Sequence, residues 1–96
     1  MLQQITIRTT NAAQFRPLLK SALNRETKLL DRAIERTRQA LAPFEARYKM
    51  TSDEFERKFK VHEIEESLDF LDWWMEVEAL RHLESQRQSL TDAKFD

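Results

Sequence analysis

Polar and hydrophobic positions alternate near the start of this chain and then change period. Ile5, Thr6, Ile7, Arg8, Thr9 and Thr10 alternate and are mostly β-branched, which predicts a strand over about residues 4–10 with Ile5 and Ile7 on one face. Further on the period is helical. Leu23, Thr27, Leu30, Ile34, Thr37, Leu41, Phe44 and Tyr48 are separated by 4, 3, 4, 3, 4, 3 and 4 positions. That heptad spacing sets one stripe of a helix against a partner helix. Leu29, Ala33 and Ala40 widen the stripe on one flank, as expected of a helix with more than one neighbour.

Local signals bound the elements. Thr10 or Asn11 can cap a first turn, and Pro17 is tolerated only near a helix start. The long helix is therefore predicted over about residues 13–48. Pro43 removes one hydrogen bond and clashes with the carbonyl of Gln39, a cost of about 3 kcal/mol in a helix interior. The stripe stays in phase through Leu41, Phe44 and Tyr48, so Pro43 predicts a kink rather than a break. Thr51 and Glu54 form a capping box, with Met50 and Phe55 as a hydrophobic staple around it. They open a short helix over about residues 52–60, with Phe55 and Phe59 one turn apart. A last helix is predicted over about residues 68–90, with Phe70, Trp73, Trp74, Val77, Leu80, Leu83 and Leu90 on its apolar side.

The expected fold is mainly α in a single domain. It has an N-terminal β-strand, a long kinked helix, a short helix and a long antiparallel return helix, a coiled-coil-like helical hairpin. A single strand cannot satisfy its own backbone groups, and no second strand pattern follows. Its partner must lie outside the chain, on a second copy or on the sheet edge of another protein. A small hairpin has a thin core. A homodimer or higher oligomer is therefore expected, built through the strand or along the seam of Leu23, Leu30, Ile34, Leu41, Phe44 and Tyr48.

Trp73 and Trp74 lie about 100° apart on a helix. One should be core and the other rim. Phe70, Trp74 and Val77 align with a folded-back long helix, which makes Trp73 the expected exposed anchor. Trp is favoured at interface hot spots.

Composition narrows the function. The chain has no glycine and two prolines, which argues for few, mostly helical elements and against a β-sandwich, a P-loop or a dinucleotide fold. It has no cysteine, so disulfides, thiolate chemistry and zinc–cysteine clusters are out, in keeping with a cytoplasmic protein. Met1, Leu2, Gln3 and Gln4 do not read as a signal peptide, and no apolar run is long enough for a membrane span. His62 and His82 fit no metal motif. His82 with Glu78 four residues before it reads as a solvated pair rather than a metal site. No nucleophile has a base in its motif context. No enzyme activity, cofactor or metal is expected.

Charge is divided along the chain. Residues 1–60 hold 13 Lys/Arg and 7 Asp/Glu, a net +6, and residues 61–96 hold 3 and 10, a net −7. The simple reading is self-complementarity, an acidic helix folding on a basic one or chains pairing head to tail. The sharper one is that the acidic part covers a basic partner surface, such as the active site of an RNA-cleaving protein.

Phe44, Glu45, Tyr48, Met50, Thr51, Glu54 and Phe55, then an acidic linker, then Asp69, Phe70, Asp72 and Trp73 make a pattern. It resembles a family of short prokaryotic proteins, the antitoxin partners of small toxins in two-gene modules. Their pattern carries glycine where this chain has Lys49, and again in the linker, where this chain has Val61, His62, Glu63, Ile64, Glu65 and Glu66. The resemblance implies a protein that neutralises a cognate toxin by occlusion. The expected partner surface is Ile5, Ile7 and Arg8 on the strand with Asp69, Phe70, Asp72, Trp73 and Trp74 on the acidic helix.

A strand followed by two helices also describes ribbon-helix-helix repressors, which would place Gln4, Thr6, Arg8 and Thr10 in a DNA groove. That fold needs a short first helix, whereas this chain reads as helical from about residue 17 to 42 without a stop. DNA binding is therefore the second reading, and a coiled-coil scaffold the third.

Overall fold

The computed structural model describes residues 2–94. Three helices follow one another: α1 (Ala12–Tyr48), α2 (Ser52–Lys60) and α3 (Leu68–Asp92). α1 and α3 pack as a hairpin and α2 lies against α3, in a molecule of 57 × 27 × 17 Å.

Each start is capped by a side chain. Asn11, Thr51 and Ser67 accept hydrogen bonds from the backbone N–H groups of Gln14, Glu54 and Phe70. These are the donors that a first turn leaves without partners. α1 continues through Pro17 and Pro43. Pro43 and Gln39 are both exposed, so the carbonyl deprived of its partner faces water, and the helix need not end there.

The predicted N-terminal strand is not formed. Among the described residues there is no strand, and residues 2–9 have no regular structure. The physical reason is the one that made a lone strand incomplete: the ladder needs a second edge, and the described residues offer none.

The heptad stripe of α1 is the inner face of the hairpin. Leu30, Ile34 and Leu41 are buried, and Leu23, Thr27, Thr37, Phe44 and Tyr48 are half-buried. Thr27 and Thr37 donate their hydroxyls to the carbonyls of Leu23 and Ala33, each at 2.9 Å. Their polar atoms are thus satisfied within the helix. The expected oligomer seam is therefore corrected: Ile34, Leu41, Phe44 and Tyr48 belong to the core that this chain's own α2 and α3 build.

Trp73 is the centre of that core, with 0% of its surface exposed. Its ring stacks on Phe55 at 3.9 Å between centroids and lies 5.7 Å from Phe44 and 5.8 Å from Tyr48. Its indole Nε1 donates to the buried Ser52 hydroxyl at 3.0 Å. That bond removes the penalty of an orphaned donor. The expectation of Trp73 as an exposed anchor is overturned. The inward stripe of α3 runs Phe70, Trp73, Val77, Leu80, Glu84 and Arg87, at spacings of 3, 4, 3, 4 and 3. Its second half is polar, and the expected alignment on Phe70, Trp74 and Val77 lies to the α2 side of it, where Phe59 covers Trp74.

That polar half decides how far the hairpin closes. Arg87 meets Asp31 at 2.8 Å and Arg38 meets Glu84 at 3.6 Å. Such exposed pairs align helices but contribute little stability, about 0–1 kcal/mol each. Apolar burial therefore fades towards the N-terminal half of α1. There the last buried stripe residue is Leu30.

Candidate partner-binding surface

The two ends of the molecule differ in what they satisfy. At one end the aromatic core and its ion pairs close on themselves. Arg81 of α3 donates to Glu56, Asp53 and Glu84, which ties α3 to α2 and raises its pKa, mainly through Glu56. Tyr48 donates its hydroxyl to Asp69 at 2.6 Å, and Arg47 bonds the same carboxylate oxygen. The Tyr48 hydroxyl and then the Arg47 guanidinium hold the Asp69 carboxyl below its ordinary range. The same contact with Asp69 raises the Tyr48 hydroxyl.

The other end is open. α1 extends there beyond the buried part of its stripe, and residues 2–9 run alongside without secondary structure. Ile5 is 89% exposed and Ile7 54%, with Leu2 and Leu18 also exposed. Between this arm and α1 lies a groove of about 420 Å³, lined by Ile7, Ala12, Phe15, Pro17, Leu19 and neighbouring residues. It is mostly apolar and has room for a few side chains of another molecule. Lys20 lines it, and Arg8, Arg25 and Lys28 are exposed elsewhere on the arm and α1.

The anticipated interface residues therefore divide. Ile5, Ile7 and Arg8 are exposed together on the arm. Phe70 is half-buried against Tyr48 and Phe55. Asp69 is engaged within the chain by Arg47 and Tyr48. Trp74 is half-buried, its ring stacked on Phe59 at 5.1 Å, with Lys60 5.9 Å from the ring centre. Asp72 is exposed. It sits among Leu68, Leu71 and Met75, exposed apolar residues at spacings of 3 and 4 along the outer face of α3. That outer stripe was missed in the sequence reading, though its spacing is legible there. The groove residue Phe15 was missed too. Phe15 and Leu19 lie beside the seam, two heptads before Leu29 and Ala33 on its flank.

Among the described residues no group of three or more His, Asp or Glu side chains is placed to hold a metal ion. No helix among them is long and apolar enough to cross a membrane. Comparison with protein families, with curated proteins and with solved structures returns no match for this chain.

Proposed function

We propose that the chain is an antitoxin-like binding protein, whose open end captures a toxin-like partner in the cytoplasm. The observation that carries this reading is the exposed Ile5 and Ile7 arm beside an apolar groove, on a helix end that the chain's own core does not cover. The arm has the alternation of a strand and lacks only a second edge. A partner's sheet edge would supply its hydrogen bonds, while Phe15 and Leu19 receive apolar side chains. The acidic outer stripe of α3, with Asp72 among Leu68, Leu71 and Met75, is the second contact, suited to a basic surface. Co-expression with the product of the adjacent gene tests the proposal. Co-purification and restored growth are expected; a neighbour that is neither toxic nor retained contradicts it.

A second reading keeps one observation of its own. Lys20, Arg25 and Lys28 border a shallow depression on α1 that also includes Ser21 and Asn24. Its cations and hydroxyl and amide groups suit a phosphate backbone. Titration with operator DNA at graded salt distinguishes the two, because phosphate contacts weaken steeply with salt. Absence of binding at low salt removes this second reading.

A further inference from the structure

We propose that the side of the hairpin opposite α2 binds a second copy of this chain, in an antiparallel two-fold pair. α2 covers one side of the α1–α3 pair. Beneath it on α3 are Trp74, stacked on Phe59, and Arg81, bonded to Glu56. On α1 that side carries Glu45, which accepts from the Ser52 N–H at 2.8 Å, and Arg38, which shares a cleft with Ser52 and Asp53.

Two positions along a helix turn about 200° around it. Ala40 follows Arg38 by two positions and Leu83 follows Arg81 by two. Both therefore lie on the flank away from α2. Leu29 and Ala33 precede Ala40 on that flank of α1, and Leu90 follows Leu83 one heptad later on α3. Leu29 is 49% exposed, Ala40 is exposed, and Ala33, Leu83 and Leu90 are half-buried. Ala33 and Ala40, one heptad apart, present little side chain. Interaxial distance falls with side-chain size, so another helix can come close there.

Charge identifies the occupant. Arg25, Arg32 and Arg36 border the α1 stripe, and Asp72 and Glu76 border that of α3. None of them forms an ion pair among the described residues. Arg25 and Arg32 cannot meet Asp72 and Glu76 within one chain. Contacts of Asp69 with Arg47 and of Arg87 with Asp31 fix the start of α3 beside the end of α1, far from Arg25. A two-fold that runs two hairpins in opposite directions sets the acidic start of each α3 beside the basic half of the other α1, twice. Running them in the same direction would place basic beside basic. The groove residues Phe15 and Leu19 lie two heptads before Leu29 and Ala33, upstream on the same flank, and Asp72 also belongs to the proposed toxin contact; self-association of the isolated chain is therefore read without that partner, so the two proposals fail separately.

A reciprocal charge swap on the isolated protein tests the pairing, read by analytical ultracentrifugation over a range of concentrations. The unmodified chain is expected to dimerise. The double variants Arg25→Glu/Arg32→Glu and Asp72→Lys/Glu76→Lys should each weaken self-association by roughly tenfold or more. Mixed in equal amounts, they should regain a mixed dimer, because each reversed surface then meets its complement. Ala40→Arg, at an exposed position with a good helix former, should give a monomer with unchanged helical circular dichroism. A monomeric unmodified chain at every concentration overturns the proposal. So does a mixture no stronger than either variant alone, or dimerisation of Ala40→Arg at the original strength.

Discussion

Lys49 and His62 carry left-handed backbone, with φ of 52° and 60°, in a chain that has no glycine. Both close a helix end. The Lys49 N–H bonds the Glu45 carbonyl after α1, and Met50 N bonds the same oxygen. After α2, Glu63 N bonds Lys58 O and His62 N bonds Phe59 O, the pairing of a Schellman end. The antitoxin-like pattern that the sequence resembles carries glycine in place of Lys49 and within the linker that holds His62. A side chain there costs about 1–2 kcal/mol relative to right-handed backbone. Lys49→Gly is therefore expected to stabilise the protein by about 1 kcal/mol, measured by urea unfolding. Ser52 offers a second residue-scale test. Ser52→Ala leaves the Trp73 N–H buried without an acceptor, and should cost about 1–3 kcal/mol in the same measurement. A third concerns pH. The Asp69 carboxyl titrates below its ordinary 3.8, so its stabilising contribution is present above that pH and disappears as the pH falls through the lowered value. Asp69→Asn should melt below the unmodified protein at neutral pH, and the two melting temperatures should converge in acid.

At the scale of elements, what could be read in advance followed from local grammar. α2 opens on the Thr51–Glu54 cap, and α1 continues through Pro43 in phase with its stripe. The register of α3 was harder, because it depends on neighbours that no window of sequence contains. Its inward positions Glu84 and Arg87 are polar because they face Arg38 and Asp31 across the hairpin. Trp74 leaves the stripe because Phe59 of α2 covers it. The two tryptophans should therefore respond differently. Trp73→Ala removes the centre of the core and should cost about 3–5 kcal/mol, enough to unfold much of a small domain. Trp74→Ala, at a half-buried position, should cost clearly less in the same denaturation curves. The arm was legible as a strand pattern, but its pairing was not, since a ladder belongs to two edges. Deleting residues 1–9 should leave the melting temperature almost unchanged, because Ile5 and Ile7 are not part of the core.

For the whole molecule, sequence order and charge order run together. The basic half supplies the long helix and its open end, and the acidic part returns along it. Closure comes from the aromatic residues around Trp73, and it ends where the α3 stripe turns polar. A 57 Å molecule thus has one end that is complete and another that is furnished for contact. The proposed antitoxin-like action places its main recognition at the open end and a second contact on the outer stripe of α3 around Asp72, with the Trp73 core serving as their rigid support.

Amide hydrogen exchange, compared between the isolated chain and its co-purified complex with the adjacent gene product, tests this most directly. The account predicts new protection across residues 2–29, the arm and the open half of α1, with the slow amides around Trp73 unchanged. Protection gained only at the aromatic end, with the arm still exchanging freely, would contradict it.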